Sequence, residues 1–211
     1  MNNKIRALIK ILKTSGMIDV ANNIIKIAQD RSSGIFYHGS PKKFDTFDRS
    51  RSNYRGLTYF TPKREFAVAF AGGRGLDKGY VYSISFAKPL NLFDATDLTN
   101  IESLRPIIKS LVDGGVKDSV TGVDFNPAGK TINLNGEEIK NPNSDQMTEW
   151  MIWRIKNKSW RILEGEAVTS FIEGAGYDGI VTQESAIDNI GVFDTSLIKI
   201  ENIEEIEVDP D

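Results

Sequence analysis

Apolar residues at Ile5, Leu8, Ile9 and Leu12 recur at the spacing of one helical face, and Ser15-Gly16 ends the run. A second stretch, Ile18 to Ala28, repeats the pattern with Ala21, Ile24, Ile25 and Ala28. Residues 1–33 therefore read as a helical hairpin and linker, with Asp30-Arg31-Ser32-Ser33-Gly34 as the turn that leaves it. Beyond Gly34 the pattern becomes rich in strands. Ile35 to His38 and Gly56 to Phe60 are short strands, and Tyr80 to Phe86 alternates as a strand should. Between them, Glu65 to Ala71 predicts a helix that buries Phe66, Ala69 and Phe70. The middle of the chain predicts a helix over Ile101 to Val112, a hairpin over Thr131 to Ile139 turning at Asn135-Gly136, and a helix over Gln146 to Ile155. A further helix, Leu163 to Glu173, stops at Gly174-Ala175-Gly176. Tyr177 to Val181 then leads into a strand, and Gly191-Val192-Phe193 begins the last core strand, which Asp194-Thr195-Ser196 interrupts before Leu197 to Ile200. The elements make a mixed α+β domain over residues 34–211 with an acidic C-terminal tail.

Composition narrows the chemistry. A chain of 211 residues, 40% hydrophobic and 26% charged, is long enough for one well-buried domain with an appendage. With no cysteine and one histidine there is no thiol catalysis, no disulfide and no histidine cluster for zinc, so the expectation is an enzyme or binder without a metal. The apolar runs are too short for a membrane span. Lys10 interrupts the segment Ala7 to Leu12 where a signal peptide needs an unbroken core, so the sequence reads as cytoplasmic. Charge is unevenly spread: residues 1–80 hold 15 Lys and Arg against 6 Asp and Glu, and residues 81–211 hold 11 against 23. Basic residues concentrate between Lys42 and Arg55, which suits a small phosphate-bearing ligand better than a long polynucleotide.

The lone histidine, His38, stands in Tyr37-His38-Gly39-Ser40 at the end of the first strand, and Tyr59 stands 21 residues later at the end of the second, in Gly56-Leu57-Thr58-Tyr59-Phe60-Thr61. An imidazole, a pliable backbone and an aromatic ring at neighbouring strand ends can hold a nucleotide. The tryptophans Trp150, Trp153 and Trp160 are read as core, with base stacking as the lesser alternative.

With a third segment, Gly176 to Ile180 followed by Val192-Phe193-Asp194 and Ile198-Lys199, the chain resembles the ADP-ribosyltransferase superfamily. The resemblance is to the branch with a His-Tyr-Glu triad, which includes diphtheria toxin and the poly(ADP-ribose) polymerases, and within it to transferase-like domains of phage and mobile-element proteins. It implies two small, bent antiparallel sheets around a cleft for NAD, the substrate. It also implies roles: His38 and Ser40 at the adenosine ribose, the Gly39 backbone at the nicotinamide carboxamide, Tyr59 stacked on the nicotinamide and Phe70 on its other face. Arg49, Arg51 and Arg55 become candidates for the pyrophosphate.

Two departures bear on activity. Ala67 replaces a serine that donates to the carboxamide in the polymerases, and Asn189 falls where the family's glutamate is expected. Asp188 or Glu184 could supply the missing carboxylate if a bulge shifts the register. The resemblance thus implies a mono-ADP-ribosyltransferase acting on a protein or nucleic-acid acceptor, or else a weak or inactive relative serving as a binding or phage-particle protein. In either case the apolar face of the N-terminal helices is expected to pack on their own domain, with docking on a partner as the lesser alternative, and the place of action could be a host cytoplasm or a virion.

Overall fold

The computed structural model describes residues 3–20, 30–49, 56–72 and 77–208. Helix α1 (Asn3–Thr14) forms over the first apolar stripe. The second arm of the expected hairpin is helical at residues 18–20, and residues 21–29 lie outside the described residues. In chain order there follow β1 (Phe36–Ser40), β2 (Thr58–Phe60), α2 (Arg64–Ala71), β3 (Lys78–Phe86), β4 (Leu92–Asp94), α3 (Leu98–Ser103), α4 (Arg105–Asp113), β5 (Thr131–Leu134) and β6 (Glu137–Lys140). The chain continues through α5 (Ser144–Lys156), α6 (Glu166–Gly174), β7 (Gly179–Glu184), β8 (Ile187–Val192) and β9 (Ile198–Glu207).

The mixed α+β class is what the sequence predicts. One sheet has the order β1-β3-β9 and is antiparallel throughout; the other has the order β2-β8-β7-β4. In the second sheet β4 runs parallel to β7, a departure from two purely antiparallel sheets. Three residues are too few for β4 to show alternation in sequence, and the helices α3 to α6 supply the crossover that a parallel pair needs.

The two sheets face one another across Phe36, Phe60, Tyr82, Ile84, Val181 and Val192. Helices α3 to α6 cover the far face of the second sheet around Ile108, Met147, Met151, Ile172 and Phe193. Helix α2 covers the far face of the first sheet through Ala67 and Ala71, packed with Val81. Its contact is unusually close. A Cβ on Gly39 would lie 1.9 Å from the Ala67 carbonyl oxygen, and one on Gly79 would lie 2.3 Å from that of Ala71. Small residues four apart on the helix therefore meet glycines on adjacent strands. This corrects the predicted face of α2: Ala67 and Ala71 are buried, whereas Ala69 is exposed, Phe66 half-buried and Phe70 56% exposed.

Other differences have local causes. The stretch 101–112 breaks at Leu104 because Pro106 opens a new helix, α4, in its first turn. Helix α6 starts at Glu166 because Asp118 accepts the Glu166 N–H, and Trp160–Ile162 forms a separate 3-10 turn. The predicted hairpin turns at Asn135 and Gly136, both with positive φ. The acidic run read as a tail is largely strand β9, paired with β3 from Ile198 to Glu207. Among the described residues no helix is long and apolar enough to cross a membrane.

Candidate functional site

Strands β1 and β2 belong to different sheets and meet at one corner. Tyr37 and Thr61 exchange both backbone hydrogen bonds there, at 2.8 and 2.9 Å. Continuing that antiparallel ladder would pair Gly39 with Tyr59. Instead, the Tyr59 carbonyl oxygen lies 2.9 Å from Nδ1 of His38, so an imidazole occupies the next rung. Because Tyr37 turns its N–H and C=O towards Thr61, alternation along β1 turns those of Gly39 to the same open edge. Among the described residues nothing pairs with them at that edge. Residues 38 and 39 thus wedge the sheets apart with a side chain and leave a peptide-like donor and acceptor side by side.

Around this wedge is a cleft of about 820 Å³, lined by His38, Gly39 and Ser40 on β1, Tyr59 on β2, Phe66 and Phe70 on α2, and Asn189 on β8, together with Lys42, Lys43, Trp160, Glu164 and Glu184. Its size is in the range of small-molecule sites. The His38 ring sits edge-on to Phe47 at 5.2 Å and tilted against Phe60 at 5.7 Å. Burial pushes its pKa below the ordinary histidine value, opposed by the bond to Tyr59. A carbonyl only accepts, so the neutral ring donates from Nδ1 and keeps an acceptor at Nε2.

Tyr59 lies over Gly191, its cross-strand partner, where a Cβ would approach the ring carbon Cε1 to 2.9 Å. The glycine gives the ring its place. Two residues back along β8 and on the same face, Asn189 is 5% exposed, its Nδ2 donates to Glu184 at 3.3 Å, and its Oδ1 has no hydrogen-bond partner among the described residues. A buried acceptor without a donor is costly, and here it lines a cleft where a ligand hydroxyl can supply one.

The remaining expected site residues are placed as follows. Ser40 donates its hydroxyl to the Lys42 carbonyl and accepts from the Lys42 N–H, holding the turn after β1. Phe70 lines the cleft with Phe66, their rings 5.3 Å apart. Asp188 alternates to the face opposite Asn189 and accepts from Gln183; it does not line the cleft. Arg49 binds Glu173 through its two terminal guanidinium nitrogens at 3.1 and 3.0 Å and also stands away from the cleft lining, whereas Arg51 and Arg55 lie outside the described residues. Among the described residues of the basic segment, Lys42 and Lys43 are the cations at the cleft, and Phe44 fixes that segment by stacking on Tyr82 at 4.3 Å.

Sequence reasoning missed Glu164. It sits in the turn between Trp160–Ile162 and α6, half-buried at the cleft. Burial pushes its carboxyl above the ordinary glutamate value; the Tyr59 hydroxyl draws it part of the way back, Glu184 raises it further, and the charge of Arg161 lowers it. The available signal was a carboxylate set between the core residues Ile162 and Leu163 and the helix-opening Gly165, a place where a side chain is held by its neighbours.

The profile of the family described as ADP-ribosyltransferase in polyvalent proteins matches residues 32–204, so the chain belongs to that family. No curated protein matches the chain. Among solved structures, a crystal structure of an anti-CRISPR protein is 16% identical with a TM-score of 0.38, over 82% of this chain and 95% of that one.

Proposed function

We propose that the protein is a mono-ADP-ribosyltransferase that cleaves NAD in the cleft between β1 and β2 and transfers ADP-ribose to a protein or nucleic-acid acceptor. The observation that carries this reading is the interrupted ladder. Gly39 presents one N–H and one C=O to the cleft, the complement of a carboxamide, while His38 holds the adjoining strand off through its 2.9 Å contact with Tyr59. The Tyr59 ring stacks on the nicotinamide, with Phe70 closing the other face. Nε2 of His38 accepts from the adenosine ribose near Ser40, and Asn189 Oδ1 accepts from the nicotinamide ribose. Lys42 and Lys43 stand in the cleft for the pyrophosphate, and Arg51 and Arg55 remain candidates beside them; Arg49, paired with Glu173, would have to exchange that partner. The outward residues Leu8 and Ile11 of α1 are the surface by which the N-terminal helices would dock on a partner.

Calorimetry with NAD, coupled to detection of released nicotinamide and of labelled ADP-ribose on proteins or nucleic acids of a bacterial lysate, tests the reading. His38→Ala and Tyr59→Ala are each expected to weaken NAD binding by about 1–3 kcal/mol, through loss of a ribose hydrogen bond or a stacking face. Absence of binding at millimolar NAD rejects it. Asn189 favours a second reading, a fold that binds NAD without turning it over, since an amide orients a hydroxyl but brings no negative charge. Binding without nicotinamide release would select that alternative.

A further inference from the structure

We propose that Glu164 is the catalytic base of this cleft, a carboxylate supplied from the turn before α6 in place of one on β8; the assignment rests on the reading of the cleft as an NAD site. Three placements carry it. First, Glu164 lines the same cleft as Tyr59 and Asn189. Second, none of the ion pairs among the described residues involves it, whereas Asp94, Glu102, Asp113, Asp124, Glu173 and Glu204 each hold a lysine or arginine. Arg161 acts on it only through space, and, unlike Asp118, which backbone N–H groups hold, its carboxylate is not committed to an ion pair or a cap among the described residues.

Third, its backbone is held from both sides. The Leu163 and Glu164 N–H groups donate to the Trp160 carbonyl at 2.8 and 3.2 Å, and Ile162 and Leu163 are anchored in the helical core. On the other side Asp118 accepts from the Glu166 N–H at 3.0 Å and from Thr121 at 2.7 Å. Gly165 leaves room for that aspartate, since a Cβ there would stand 3.1 Å from Asp118 Oδ2. A group fixed before the ligand arrives suits catalysis. The other carboxylates near the motif are placed for different work: Glu184 is exposed and holds the Asn189 amide, and Asp188 faces away.

The step balances without any further reagent. The bond from ribose C1′ to the nicotinamide nitrogen breaks, and its electron pair leaves with nicotinamide. The acceptor oxygen or nitrogen bonds to C1′, and its proton passes to the Glu164 carboxylate, which releases it to solvent. Asn189 Oδ1 orients the ribose meanwhile.

The test uses the full chain with NAD, water serving as the acceptor, and nicotinamide release followed between about pH 4 and 8. The wild-type rate is expected to rise along an acid limb with a midpoint above that of an ordinary glutamate. In Glu164→Gln the limb disappears and the rate falls about 100-fold or more, whereas NAD affinity by calorimetry stays within about fivefold. Glu164→Ala, assayed with added formate, is expected to regain rate, which guards against a folding defect in the glutamine variant. An unaltered limb in Glu164→Gln, a loss of affinity equal to the loss of rate, or no rescue by formate would each overturn the assignment. Wild type that binds NAD but releases no nicotinamide overturns it too, leaving the binding site intact. Wild type that does not bind NAD removes both readings.

Discussion

His38 illustrates how one residue carries structure and chemistry together. Its Nδ1 replaces a backbone rung against Tyr59, and the same contact fixes the tautomer that makes Nε2 an acceptor. Because it is the only histidine, a single imidazole resonance reports the site. Burial lowers its pKa from the ordinary 6.5, so NMR titration should give a midpoint below that value. Between the two values the unfolded chain binds the proton that the folded chain refuses. The stability contributed by neutral His38 is therefore fully present above about pH 6.5 and lost as pH falls towards the folded-state pKa. Urea unfolding across that window should show the decline, and His38→Gln should flatten it. A midpoint at or above 6.5 would contradict the buried, neutral ring. His38, Gly39 and Tyr59 were legible in sequence because they sit in short, distinctive strand ends. Glu164 was not, because its significance arises only when a turn 105 residues beyond Tyr59 folds back to line the same cleft.

Among the elements, the placement of α2 decides whether the cleft exists. Its helical period was plain in sequence, but its buried face was not, since aromatic residues normally outrank alanines for burial. Glycines on β1 and β3 reverse the ranking by allowing the helix backbone within contact distance of the strands, which only Ala67 and Ala71 tolerate. Phe66 and Phe70 are thereby left to line the cleft. Gly39→Ala would drive a methyl group to 1.9 Å from the Ala67 carbonyl, backbone against backbone, with no flexible side chain to yield. It should destabilise the protein by about 1–3 kcal/mol or more, and by lifting α2 it should weaken NAD binding as well. Gly174→Ala is the control: nothing lies within 4 Å of its Cβ position and it is exposed near the end of α6. Denaturant melts should show it neutral or stabilised by up to about 1 kcal/mol. Equal effects at the two glycines would mean that the close approach of α2 is not what holds it.

Across the whole molecule, the uneven charge of the chain acquires a direction. The basic N-terminal portion reaches the cleft through Lys42 and Lys43, and the acidic remainder reaches it through Glu164 and Glu184. The asymmetry was visible in sequence, whereas its convergence on one cleft required the crossover that brings β7 and β8 beside β2, with β4 at the far edge. On the proposed reading, a dinucleotide lying along that gradient would set its phosphates beside the lysines and its charged nicotinamide riboside beside the carboxylates. Reduction to NADH keeps the phosphates but removes the positive charge of the ring, so the acidic end has nothing left to attract. Unit charges several ångströms apart at a partly solvated surface are worth about 1 kcal/mol after screening, which corresponds to about a five- to tenfold preference for NAD+ over NADH. That preference should narrow as salt rises and should vanish in the double variant Glu164→Gln, Glu184→Gln, while the phosphate contribution persists. Competition calorimetry with the two redox forms at low and high salt measures it, and indifferent binding of both forms by wild type would show that the carboxylates do not face the nicotinamide end.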